Sequence, residues 1–132
     1  MPIDPEVTGE VILTVTASDT AARFGIELGE TYPEVYATAF MIREMERAAA
    51  KLMRPLLGPG QLSVGVKVEV SHLAPTPVGG IVITRARFTA QEGKLYWFEV
   101  WAEDGGGTIG KGRHARAIVD EARLLTAAET RR

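Results

Sequence analysis

The chain has 132 residues, 45% hydrophobic and 24% charged, with a mean hydropathy of +0.02 and a net charge of −2. Length and balance fit a single globular domain, residues 1–132, and the slight negative charge argues against a general nucleic-acid binder. Cysteine is absent and histidine occurs twice, which excludes disulfides, thiolate nucleophiles and Cys-rich metal sites and leaves little for a His-based metal centre. No apolar run approaches the ~20 residues of a membrane-spanning helix. Asp4, Glu6 and Glu10 make the start unlike a signal peptide. A cytoplasmic protein without metal, membrane or nucleic acid is expected.

Residues 9–16, GEVILTVT, are rich in β-branched residues and predict a strand. Residues 17–34 hold Gly25, Gly29 and Pro33 and predict an irregular connection, long enough to be functional. Residues 35–57 carry the long helical pattern. At 100° per residue, Met41, Ile42, Ala48, Ala49, Leu52, Met53 and Leu56 fall within about 80° of Met45. Arg43, Glu44, Arg47, Lys51 and Arg54 fall on the far side, which predicts one buried stripe and one wet face. Pro55 and Gly58-Pro59-Gly60 end the helix.

The period then changes to two. Leu62, Val64, Val66, Val68 and Val70 alternate with Ser63, Gly65, Lys67, Glu69 and Ser71, so one face of the strand is apolar. A turn follows at 75–80. Strands are predicted at 81–90 and 95–103, joined as a hairpin by Gln91-Glu92-Gly93-Lys94. Asp104-Gly105-Gly106-Gly107 is a turn; it lacks the Lys-Ser/Thr ending of a phosphate loop. A last strand covers 108–119, and the tail from Glu121 is helical or frayed.

One helix covers a five-stranded sheet only if the sheet curls around it. The strand at 95–102 alternates Leu95 and Trp97 with Tyr96, Phe98 and Val100, so both its faces favour burial and a partner surface is expected. An α+β hot-dog fold follows: a curved antiparallel sheet wrapped around one long helix, dimeric.

Three polar side chains interrupt apolar ground. Thr38 lies within the helix stripe, where a capping or first-turn hydroxyl is its ordinary role. Glu46 lies at the stripe's edge, where an ion pair with Arg43 is the ordinary role. His72 continues the parity of Leu62 to Val70 and so points to the apolar side of its strand, where a histidine is often structural. A hydroxyl, a carboxylate and an imidazole brought together also perform acyl transfer, and a helix packs against the strand that follows it. On the last strand, His114 and Arg116 share one face and Lys111 and Arg113 the other. They fit either the phosphates of a thioester-bearing ligand or a solvated edge.

The segments PEVYATAFMIREME, LSVGVKVEVSHLAPTP and IGKGRHARAIVD resemble the fluoroacetyl-CoA thioesterase-like group of hot-dog proteins, over about Pro33 to Val119. The resemblance implies an acyl-CoA thioesterase acting on a short or medium acyl-CoA, as a homodimer with active sites at the subunit interface and no cofactor beyond the CoA of the substrate. It implies catalytic roles for Thr38 in TAF, Glu46 in the motif ending ME, and His72 in SHLA. Gly65 in SVG falls where family members bring a backbone close to the thioester carbonyl, and Arg116 in HARA matches an arginine near the pocket. Family members carry a phenylalanine-bearing lid at the region of 17–34. Here the stretch is shorter, with Tyr32 near one such phenylalanine and Gly29 near the other. Two alternatives are a non-catalytic acyl-CoA-binding module and a hot-dog enoyl-CoA hydratase.

Overall fold

The computed structural model describes residues 3–132. Strand β1 (Thr8–Thr14) leads through two short 3-10 turns, Ala17–Asp19 and Ala21–Phe24, to helix α1 (Thr38–Met53). A 3-10 turn (Arg54–Leu56) follows, then β2 (Gln61–His72), β3 (Ile81–Glu92), β4 (Leu95–Asp104), β5 (Gly107–Asp120) and a terminal helix α2 (Glu121–Glu129). The helix is shorter than 35–57. Val35 and Tyr36 are held instead in bridges to Pro77 and Thr20. At the other end Pro55 has no N–H and its ring crowds the Lys51 carbonyl, which converts the last turn to 3-10. The tail is helical, with the Asp120 side chain accepting from the Arg123 backbone N–H at 3.0 Å as its cap.

The strands form one antiparallel sheet in the order β1-β3-β4-β5-β2, so β1 and β2 are its edges. Cross-strand partners share a face. Val11, Thr84, Ala86, Phe98, Val100 and Ala102 line the inner face, against Met41, Met45, Ala48, Ala49 and Met53 of α1. Each fully buried methionine contributes about 1.5–3 kcal/mol by leaving water. Gly9 sets how close the helix lies: a Cβ there would stand 2.1 Å from the Ala48 carbonyl oxygen. The apolar stripe read from the helical period is therefore the buried one. Glu44 departs from that reading. Predicted on the wet face, it is 1% exposed, and it accepts from Arg47 at 2.8 Å and Arg43 at 3.2 Å. These half-exposed arginines supply the charges that its burial requires.

The period-two reading of β2 also needs correction. Gly65 pairs with Arg116 and Lys67 with Ala115, so Val66 is an extra residue in a β-bulge. A bulge exchanges the faces on its two sides. Val68, Val70 and His72 share the inner face with His114, while Leu62 and Val64 pair with Val119 and Ala117 on the outer face. His72 keeps its expected inward position.

The outer face of β4 is already covered in part by its own chain. Trp97 is 7% exposed, with the Arg113 guanidinium 4.3 Å from its ring centroid and Glu69 bonded to Arg113 at 2.8 Å. Exposed apolar surface lies instead along β2, an edge strand of 12 residues whose Leu62, Val66 and Val68 are 41–49% exposed.

Candidate active site

Thr38 and His72 meet. The Thr38 Oγ1 lies 2.7 Å from His72 Nδ1. Thr38 is the first residue of α1; Ala37 occupies the cap position without a side-chain bond. The hydroxyl is thus committed to the imidazole and not to a backbone N–H. When Nδ1 accepts the Thr38 hydroxyl hydrogen, Nε2 carries the ring hydrogen. Nε2 is buried and has no partner among the described residues. Burial holds the His72 imidazole below its ordinary value.

The pair lines a cavity of about 320 Å³ shared with Ala21, Val35, Tyr36, Leu73 and Pro75. Its walls are apolar apart from Thr38, His72 and Tyr36. The Tyr36 hydroxyl donates to the Phe40 carbonyl at 3.2 Å. Burial, with the nearby Glu44 charge, pushes the Tyr36 phenol well above its ordinary value, so this residue is a neutral wall.

Glu46 is elsewhere in the same chain. Eight residues of helix separate it from Thr38, about 12 Å of rise. Its partner is Arg116 and not Arg43: Arg116 Nη1 donates to Glu46 Oε1 at 3.2 Å. Gly65 lies beneath, and a Cβ there would be 2.4 Å from that oxygen. Gly65, Glu46 and Arg116 therefore form a second cluster, with His114 and Ser63. Sequence reasoning left open whether Arg116 and His114 belonged to a solvated edge. Because β5 lies between β4 and β2, they are 6% and 1% exposed. Lys111 and Arg113, on the opposite face, are the exposed pair.

Tyr32 is 44% exposed and donates to Glu30 Oε2 at 3.1 Å; it is not among the residues lining the Thr38–His72 cavity. The aromatic that ties 17–34 to the helix is Phe24, edge-on to Phe40 at 5.7 Å. The Ala37 N–H, bonded to the Asp19 carbonyl at 2.9 Å, fixes the segment's start against α1. Phe24 was visible in the sequence, but nothing in its spacing named Phe40 as its partner. Among the described residues no three His, Asp or Glu side chains converge as a metal cage requires, and no helix is long and apolar enough to cross a membrane.

A sequence model of the family described as fluoroacetyl-CoA-specific thioesterase matches residues 15–122. The chain belongs to this family. The fluoroacetyl-CoA thioesterase of Streptantibioticus cattleyicolor is 42% identical over 88 residues, which are 67% of this chain and 63% of that protein's length. A solved variant of the fluoroacetyl-CoA-specific thioesterase, in complex with fluoroacetate and CoA, superposes with a TM-score of 0.84 at 33% identity, covering 92% of this chain and 97% of that one. A hot-dog-like protein from Thermanaerovibrio acidaminovorans gives a TM-score of 0.80 at 26% identity, covering 95% and 90%. The fold is the hot-dog fold, as the curled sheet around α1 had indicated.

Proposed function

We propose that this member of the fluoroacetyl-CoA-specific thioesterase family hydrolyses short or medium acyl-CoA thioesters in the cytoplasm as a single-domain homodimer, each site combining Thr38 and His72 of one subunit with Glu46 of the partner subunit. The observation that carries the reading is the 2.7 Å contact between Thr38 Oγ1 and His72 Nδ1 on the wall of an apolar cavity. A hydroxyl hydrogen-bonded to an imidazole held neutral by burial is poised for general-base catalysis. His72 takes a proton from the attacking oxygen, that of Thr38 or of a water it holds. The oxygen bonds to the acyl carbon, the C–S bond breaks, and the CoA sulfur leaves with the proton that His72 received. Water supplies the second oxygen of the acid. The backbone near Gly65 is suited to hold the thioester oxygen where charge develops. CoA belongs to the substrate, and no separate cofactor enters.

The dimer accounts for an unfilled need of the isolated chain: the β2 edge, a long row of unpaired backbone groups flanked by exposed Leu62, Val66 and Val68. Gly65 and His72 lie about 23 Å apart along one strand. If two β2 strands pair antiparallel about a twofold axis at Glu69, with Val66 outside the register as the bulge, Gly65 of each copy stands opposite His72 of the other. Glu46 of the partner subunit, which overlies Gly65 of its own chain, then comes within reach of His72. Light scattering at micromolar concentration is expected to give twice the 14.3 kDa chain mass; a monomer would remove the shared site.

The test of function is thiol release from a panel of acetyl-, propionyl-, branched, aryl- and fluoroacetyl-CoA. Release from several short or medium members is expected. Binding without release from any of them would identify an acyl-CoA-binding module instead. Selectivity should be broad. In place of the paired phenylalanines of the family lid, 17–34 presents Tyr32 pointing to Glu30 and Phe24 packed on Phe40. A pocket contact of one methylene is worth only ~1–3 kcal/mol. The fluoroacetyl to acetyl ratio in kcat/KM is accordingly expected below about 10⁴, or ~5.5 kcal/mol; a larger ratio would restore a fluoroacetate-detoxifying role.

A further inference from the structure

The site proposed above takes Glu46 as the carboxylate that supports the His72 imidazole and orients a reactant or water, and it leaves unused a buried histidine beside Glu46. His114 and Arg116 stand two residues apart on the inner face of β5, 1% and 6% exposed. We propose that His114 is a positioning residue for Glu46: it clamps the Arg116 guanidinium in the one orientation that holds the Glu46 carboxylate at the β2 edge. This rests on the role proposed for Glu46.

The bonding roles leave one arrangement. His114 Nδ1 lies 2.8 Å from the Lys67 carbonyl, which only accepts, so Nδ1 carries the hydrogen. Nε2 lies 3.1 Å from Arg116 Nη1, which only donates, so Nε2 presents its lone pair. The ring is therefore a neutral Nδ1–H tautomer; an imidazolium would set N–H against N–H. Burial holds His114 below its ordinary range against the pull of the Lys67 carbonyl, and the Arg116 cation adds to the fall.

Arg116 is held on its other sides as well. Its Nε donates to Ser63 Oγ at 3.0 Å and its Nη2 to the Ser63 carbonyl at 2.9 Å. The two β2 carbonyls that receive these side chains, Ser63 and Lys67, lie on either side of the Val66 bulge. With three anchors, the remaining Nη1 hydrogen is directed at Glu46 Oε1. The space for the assembly comes from Gly65, whose added Cβ would stand 2.4 Å from Glu46 Oε1 and 3.1 Å from His114 Cε1. The other cations near Glu46 are otherwise engaged. Arg43 and Arg47 pair with Glu44, and Lys67 lies on the outer face of β2, opposite Ala115 and away from Glu46. Glu46 Oε2 makes no hydrogen bond among the described residues and is the oxygen left for the reaction.

The experiment compares His114→Leu, which keeps bulk but removes both ring nitrogens, with His114→Gln, whose amide can donate to the Lys67 carbonyl and accept from Arg116. His114→Leu is expected to lower kcat about 10- to 100-fold with KM little changed, the scale on which outer-shell partners act. His114→Gln should recover most of the loss. In a Glu46→Gln background, His114→Leu should cost little more, because both changes remove one linked effect. Equal losses for His114→Leu in both backgrounds, without rescue by Gln, would overturn the proposal and leave His114 a packing residue. A fully active Glu46→Gln enzyme would instead refute the role given to Glu46. Nitrogen NMR of the wild-type protein keeps the clamp testable even if a variant fails to fold. The neutral Nδ1–H tautomer is expected at pH 7, and an Nε2–H ring or an imidazolium would overturn it.

Discussion

Replacing His72 with alanine is expected to lower kcat/KM by about 10²–10⁴-fold, or roughly 3–5 kcal/mol of transition-state stabilisation, while the protein still folds. The loss follows from the position of the ring, whose Nδ1 contacts the Thr38 hydroxyl at 2.7 Å and which is the one imidazole on the cavity wall. Folding should survive because His72 ends an edge strand and is only partly buried. Activity retained within a few-fold would make His72 a core residue and remove the proposed site. The pH profile carries a second signature. Burial alone lowers the His72 pKa, whereas an approaching carboxylate from the partner subunit would raise it. The acid limb of kcat/KM, where His72 gains its proton and activity falls, should therefore move to lower pH in Glu46→Gln. The stability linkage has the sign of a depressed histidine. The unfolded ring takes up its proton first as pH falls below about 6.5, so His72 contributes fully above that value and its contribution is lost as pH falls through the folded pKa.

Much of this arrangement was legible in the sequence because periodicity reports burial. The stripe through Met41, Met45, Ala48 and Met53 is the face that packs on the sheet, and the inward parity of His72 brought it to Thr38. Periodicity is silent where the chain departs from it. Val66 is a β-branched residue at an apolar position of a regular run, so nothing local announces it as the bulge that turns Leu62 and Val64 outward. Glu44 fell on the wet face because a helical wheel sees neither the guanidiniums of Arg43 and Arg47 folding over it nor the segment at Asp19 close to Arg43. The burial of His114 and Arg116 depended on strand order: β5 is interior only because β2 returns to pair beside it, a non-local fact that no spacing encodes. The partner surface was inferred from β4, whose Trp97 is covered within its own chain. The exposed apolar groups of the β2 edge now carry that argument.

Mixing two inactive variants is expected to restore activity. Glu46→Gln and His72→Ala should each be poor enzymes as homodimers, because every site in either one lacks a catalytic group. If Glu46 serves the active site of the partner subunit, a mixed dimer places both defects in one site and leaves the other complete. Random reassortment makes half the dimers mixed, each with one working site of two, so recovery should approach about a quarter of the wild-type rate in a symmetric dimer. If Glu46 instead served His72 of its own chain, each site of the mixed dimer would carry one defect and no recovery would occur. The structure favours the first outcome. Within one chain Glu46 is bonded to Arg116 over Gly65, about 12 Å of helical rise from Thr38. The two variants are to be unfolded together and refolded, or co-expressed with different tags, and the purified mixed dimer assayed for thiol release. Absence of recovery in a verified mixed dimer would return Glu46 to a structural role beside Arg116.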